Sequence, residues 1–256
     1  MDSLDKLTPW WRDLKVALGT LTRLPLGPAD EQEEGDLARA TRTYPLAGVL
    51  IGLTGAAAFW LCDRLALPSL ACGLIAVGVT ALITGALHED GLSDTADGFA
   101  GAFERERKLE IMRDSRTGVF GVLALLLSVG LRASALAEIA EPGLVALALI
   151  AAHCAARAAL PVIMRQLPLA RPDGLAAEVG RPEAGHAGAA AGIAAVVAWL
   201  TLGFGTGLLV LVVGGLAAGA LAFIARAQIG GYTGDVLGAS EQAAETAILL
   251  AVAAAL

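Results

Sequence analysis

Long apolar blocks alternate along this chain with short polar islands. Seven blocks approach the length of a membrane-crossing helix, near 44–63, 65–87, 118–137, 143–164, 187–203, 207–226 and 240–256, because one such helix needs roughly 20 mostly apolar residues. The last block is the weakest, being short and carrying Glu241 and Glu245. The stretch from Ala187 to Arg226 is twice as long as one span requires, and "GFGTG" at 203–207 supplies a turn that divides it. The pattern predicts an all-α fold, a polytopic membrane helical bundle of about seven helices forming one domain over 1–256.

Basic residues orient the expected bundle, since Lys and Arg close to span ends stay in the cytoplasm. Segment 1–43 carries Lys6, Arg12, Lys15, Arg23, Arg39 and Arg42; segment 88–117 carries Arg105, Arg107, Lys108, Arg113 and Arg116; segment 165–186 carries Arg165, Arg171 and Arg181. The connections near 63–65, 138–142 and 203–207 contain only Arg64. The N-terminus is therefore predicted inside the cell, with 88–117, 165–186 and 227–239 as cytoplasmic loops and the C-terminus outside.

Composition agrees: 56% of residues are hydrophobic and 5% aromatic, and the mean hydropathy is +0.68, which excludes an ordinary water-soluble domain. The net charge of −7 owes much to "DEQEEGD" at 30–36, read as a solvated linker, and says little about partners. Cys62, Cys72 and Cys154 fall in or beside apolar blocks without metal-ligand spacing and are read as packing residues. "MDSLDKLTPWWRD" at 1–13 has no cleavable-signal pattern, so the first span is expected to direct insertion. The pairs in "GVLIG" at 48–52 and "GLAAG" at 215–219 are read as helix-packing sites.

The chemistry concentrates in three islands. In "HEDGLSDTADG" at 88–98, a helix continuing the second span would place Asp90, Asp94 and Asp97 at i, i+4 and i+7, within about 60° of one another around the axis. Three carboxylates so close repel unless a cation joins them, and an oxygen-only site suits Mg²⁺ or Mn²⁺. A solvated helix end explains one acid better than three, because acids at a membrane are costly. In "RDSRTGVFG" at 113–121, Arg113 and Arg116 flank Asp114 before a glycine-opened helix start, and guanidinium forks and helix N-termini both hold phosphate. In "GGYTGDVLGASEQAAE" at 230–245, Asp235, Glu241 and Glu245 add acceptors, the two glutamates sharing one face. His88 is a candidate proton carrier, His186 has no supporting context, and Arg157, at i+4 from His153 inside a span, needs an anionic substrate group or an acid as partner.

"HEDGLSDTADG", "RDSRTGVFG" and "GGYTGDVLGA", in this order and spacing, closely resemble cobalamin synthase, the adenosylcobinamide-GDP ribazoletransferase family; "TLTRLP" at 20–25, "YPLAGVLIG" at 44–52 and "RPDGL" at 171–175 extend the resemblance over most of the chain. Glu89 departs from it, standing where the family's first motif has an apolar residue. The resemblance implies a bacterial inner-membrane enzyme with a cytoplasmic active site. It would join adenosylcobinamide-GDP to α-ribazole or its 5′-phosphate and release GMP, with Mg²⁺ as cofactor. Asp90, Asp94 and Asp97 would hold the metal, while Arg113, Ser115, Arg116, Arg157, Gly234 and Glu245 would contact substrate. Asp97, Asp114, Asp235 and His88 are the candidate proton acceptors. Partners beyond the substrates are the lipid bilayer and a second copy of the chain, with no nucleic acid. The rival readings are a CDP-alcohol phosphotransferase, whose aspartate pattern this chain lacks, and a cation-coupled transporter, disfavoured because the acids cluster in connections rather than at mid-span.

Overall fold

The computed structural model describes residues 2–25 and 35–255. The acidic run at 30–36 lies outside the described residues as far as Glu34. Eleven helices follow one another among the described residues: α1 (Asp2–Leu21), α2 (Asp36–Ala40), α3 (Tyr44–Arg64), α4 (Ser69–Thr84), α5 (Leu87–Gly101), α6 (Arg105–Ile111), α7 (Val119–Ile139), α8 (Pro142–Gln166), α9 (Leu175–Val179), α10 (Ala184–Ile229) and α11 (Gly234–Ala255). Five are long and apolar enough to cross a membrane: α3 with its lead-in from Asp36, α7, α8, α10 and α11.

The second predicted span ends earlier than its hydropathy suggests. α4 stops at Thr84, Gly85 and Ala86 both adopt positive φ (65° and 56°), and α5 leaves at 94° to α4. The first acidic motif is thus helical, but the expected continuation of the second span is broken at Gly85 and Ala86. The Arg23 amide donates to the Ile83 carbonyl at 2.7 Å, and the Arg23 side chain lies over Gly85, whose φ of 65° favours glycine. α5 is therefore a separate helix, set at a sharp angle to α4 and distinct from the five helices long enough to span by themselves.

The 46 residues of α10 are two arms. Gly203 takes φ 74° and ψ 174°, outside the helical region. A Cβ on Gly207 would stand 2.8 Å from the Ala198 carbonyl, which residues so far apart on one straight helix never approach. The chain folds back at Gly203, as "GFGTG" predicts. With the arms counted separately and α4 as a short crossing segment, all seven predicted segments are helical. α11 begins at Gly234 rather than near 240, so the predicted loop at 227–239 shrinks to 230–233; the predicted loop 88–117 contains α5 and α6, and 165–186 contains α9.

Large apolar side chains face outward, among them Leu82, Val119, Phe204 and Phe223, each more than 70% exposed. Lipid is as apolar as leucine, so the bundle closes through small residues and polar contacts instead. α3 meets α8 where a Cβ on Gly52 would lie 2.7 Å from the Leu149 carbonyl, so "GVLIG" is a packing site. "GLAAG" is not, because Gly215 and Gly219 face open space.

The largest fully buried side chains are Arg132 of α7 and Arg157 of α8. Arg132 reaches Glu245 at 3.0 Å and Glu89 at 3.3 Å, and Arg157 reaches Glu241 at 2.6 Å. His153 Nδ1 lies 2.9 Å from Glu245, while Gln242 donates to Glu89 at 3.3 Å. This network joins α5, α7, α8 and α11 in the middle of the bundle. It gives Glu89 its place in the fold, as a partner of Arg132.

At one end of the bundle the loops are tied by main-chain bonds. Arg105 donates to the Ile229 carbonyl (2.9 Å) and the Ala170 carbonyl (2.6 Å), and Leu169 and Tyr232 form a β-bridge, with Ala170 N to Tyr232 O at 2.8 Å and Tyr232 N to Pro168 O at 3.0 Å. All three chemical islands meet at this end. Removing one partner of a buried ion pair strands the other, so Arg132→Leu should cost about 3–5 kcal/mol of resistance to denaturant in mixed micelles. The double variant Glu89→Leu/Arg132→Leu should recover much of that loss; equal loss in both would show that Glu89 does not depend on Arg132.

Candidate functional site

The crossing of α5 over the start of α11 assembles the site. A Cβ on Gly91 would stand 2.8 Å from the Asp235 carbonyl, and one on Gly238 would stand 3.1 Å from the His88 Cα. Glycine at both positions lets the two backbones touch, which carries Asp235 against the carboxylate face of α5. Beneath the crossing is a cavity of about 130 Å³ whose polar wall is His88, Asp90, Arg171 and Asp235. Its apolar wall comes from Leu21, Tyr44, Leu160 and Met164, and Gly234 and Gly238 lie at its rim.

Three residues on one face of α5 do three different things. Asp90 is exposed and lines this cavity. Asp94 is half-buried; burial, and then the neighbouring charges of Asp90, Asp235 and Asp97, push its carboxyl up to about 7. Asp97 is turned the other way and caps α7. Its two oxygens accept the Gly118 amide at 2.6 Å and the Gly121 amide at 2.9 Å. A Cβ on Gly121 would come within 2.5 Å of the Asp97 carboxylate, so the glycines of "RDSRTGVFG" admit this cap. The helix start expected to hold a phosphate is already filled by Asp97.

Asp97 borders a second, wide-open cavity of about 450 Å³ shared with Asp114, Arg116 and Gly118. Here Arg116 forks onto Asp114 at 2.5 and 2.9 Å, both exposed, and its bonds to Asp114 hold that carboxyl down to about 2. Ser115 is exposed beside them. Arg113 points elsewhere and clasps Asp173 at 2.6 and 2.7 Å. Arg157 and Glu245 are each 1% exposed within the central network and do not line the cavity, so the structure does not bring them to the expected substrate contacts.

His88 connects the two regions. Its Nδ1 lies 3.4 Å from Arg157 Nη2 and 3.8 Å from Glu241. An arginine only donates, so Nδ1 accepts and the hydrogen sits on Nε2. Burial, and then the Arg157 charge, hold this imidazole well below its ordinary range, in the neutral form.

The residues that sequence reasoning left without a role are Arg171, Asp173 and Arg132. Arg171 reaches Asp235 at 3.3 Å and Asp173 at 3.6 Å, so a ladder of alternating charge runs Arg113, Asp173, Arg171, Asp235. "RPDGL" was the available signal. For Arg132 the signal was an arginine in the middle of a predicted span. Among the described residues, the trio whose ligand atoms converge within 4.8 Å is His153, Glu241 and Glu245, but Arg157 already supplies the cation there.

A model of the cobalamin-5-phosphate synthase family matches residues 13–253. The chain belongs to that family. An adenosylcobinamide-GDP ribazoletransferase of Bradyrhizobium diazoefficiens is 53% identical over 94% of the chain and 93% of its own length. Proteins with the same name from Mesorhizobium japonicum and Sinorhizobium medicae are 44% and 40% identical, covering 95% and 99% of the chain and 93% and 100% of theirs. No solved structure matches.

The family's first motif thus contains both the helix that carries the acids and the glycine that lets α11 reach them. Loss of the Asp97 cap in Asp97→Ala should cost about 1–2 kcal/mol and speed amide exchange at 118–121, with Asp97→Asn closer to wild type. Asp94 titrates higher folded than unfolded, so its contribution is fully present near pH 4 and lost as the pH rises through about 7. In EDTA, the wild type is therefore expected to gain stability between pH 8 and pH 6 by more than Asp94→Asn does; equal gains would mean that Asp94 is not the group responsible.

Proposed function

We propose that this chain is an adenosylcobinamide-GDP ribazoletransferase, joining adenosylcobinamide-GDP to α-ribazole or its 5′-phosphate with release of GMP. The observation that carries the reading is the cavity at the α5 and α11 crossing, where Asp90, Asp235, Arg171 and His88 converge in a chain matched to the family over nearly its whole length. The reaction site is assigned to the cytoplasmic face of a bacterial inner membrane, because the loop end that holds the cavity carries most of the basic residues.

The oxygen donors around Asp94 fit a hard divalent cation. Asp90, Asp94 and Asp235 crowd enough negative charge to push Asp94 toward neutrality, and a cation would relieve it. Asp90 and Asp94 would hold Mg²⁺, with Asp97 committed to the α7 amides and Asp235 to Arg171 and Thr233. The bound ion would supply charge neutralisation at the phosphate oxygens.

The side chains divide the remaining work. An alcohol of the ribazole ribose attacks the phosphorus that bears the cobinamide arm; one P–O bond forms, the P–O bond to GMP breaks, and the alcohol proton passes to a carboxylate. Asp235 is assigned as acceptor, because it alone among the candidate bases lines the cavity from α11, while Asp114 is held ionised by Arg116 in the second cavity. His88, with its hydrogen on Nε2, is a donor to a phosphate oxygen rather than a base. The apolar wall keeps bulk water from competing with the alcohol.

Purified protein in detergent, given adenosylcobinamide-GDP, α-ribazole phosphate and Mg²⁺, should release GMP and yield the joined corrinoid, and EDTA should abolish both. Asp94→Asn and Asp235→Asn should each lower kcat by about 10²–10³-fold. Full turnover in EDTA would remove the metal assignment, and absence of both products from folded wild type would remove the reaction.

A further inference from the structure

The two arginines of "RDSRTGVFG" are spent on exposed acids, Arg116 on Asp114 and Arg113 on Asp173. The guanidinium inside the cavity wall is Arg171, whose side chain is only 15% exposed. Its partners leave it incompletely bound. Nη2 lies 3.3 Å from Asp235 and Nε 3.6 Å from Asp173, beyond the ordinary range of a charged hydrogen bond, and Nη1 is buried with no partner. A buried guanidinium edge without an acceptor is costly. Asp235, in turn, is covered by Arg171 and by the Thr233 hydroxyl at 3.1 Å.

We propose that Arg171 is the binding residue for the diphosphate of the nucleotide-activated substrate, and that Asp235 shields it until the nucleotide binds. The inference rests on the reading of the site as a nucleotide-dependent transferase. A diphosphate entering the cavity satisfies Nη1 and competes with Asp235 for Nη2, since an Arg fork matches phosphate oxygens in two places. Asp235 is thereby released to take the alcohol proton, so the acceptor becomes free only when the nucleotide is in place. Asp173, held at its outer side by Arg113, keeps the fork aimed inward. The cavity of about 130 Å³ is too small for a whole corrinoid nucleotide, so the diphosphate is the part of the substrate assigned to it.

The probe is GDP, titrated in Mg²⁺ against the full-length detergent-purified protein, alongside steady-state GMP release. Arg171→Gln should weaken GDP binding and raise KM for adenosylcobinamide-GDP by about 10–100-fold, with Arg171→Lys intermediate. Arg116→Gln should change both by less than about twofold. Asp235→Asn should bind GDP at least as tightly as wild type while losing turnover, because the competitor for Arg171 is gone but so is the proton acceptor. Unchanged GDP affinity and KM in folded Arg171→Gln would overturn the assignment, as would weakened GDP binding in Asp235→Asn. Should Arg171→Gln not fold, Arg171→Lys and Asp235→Asn decide the matter. Wild type that releases no GMP would instead defeat the transferase reading on which the inference rests, a result distinct from turnover that is indifferent to Arg171.

Discussion

Two arginines inside an apolar bundle set the terms for everything around them. Arg132 and Arg157 are out of reach of water, and a buried guanidinium is tolerable only when acids and acceptors surround it. Glu89, Glu241 and Glu245 answer that demand from two helices, with Gln242 and His153 filling the remaining bonds. Because α5 and α11 supply all three acids, the network holds these helices together and leaves their outer ends to cross at Gly91 and Gly238. The cavity exists because that crossing exists.

The same economy of charge runs outward. Where the network ends at His88, the cavity begins, and the imidazole belongs to both. From Asp235 the alternation continues through Arg171 and Asp173 to Arg113 at the surface. The inner pair of Asp235 and Arg171 is mostly buried, whereas Asp173 and Arg113 are exposed. Central pairs work in a low dielectric and hold structure; the exposed outer pair is screened by water.

The carboxylates of the first motif show why a shared helical face is not yet a shared site. Period alone puts Asp90, Asp94 and Asp97 on one side of α5. Asp97 nevertheless serves α7, whose first amides would otherwise be unpaired, and the glycines at 118 and 121 are the space its oxygens need. The other carboxylate beside Asp90 and Asp94 comes from α11 instead, from a residue more than a hundred positions away. The arginine in the cavity wall is likewise not one of the loop arginines that sequence spacing favoured but Arg171.

The order and approximate extent of the membrane helices, the turn at Gly203, the acidic motif on a helix and the family were all legible in the sequence, because each is written in local composition, period or a contiguous motif. The 94° break after Thr84 was not, since nothing in the apolar run reveals that Gly85 and Ala86 take positive φ against Arg23. Nor were the pairings of Arg132, Arg157 and Arg171. A long charged side chain takes whichever acid the packing brings within reach, and which helix lies alongside is settled by backbone contact at glycines such as Gly52, Gly91 and Gly238. Sequence determined which residues are able to do chemistry; tertiary structure decided which of them meet, because helix crossing points depend on contacts between residues far apart in the chain.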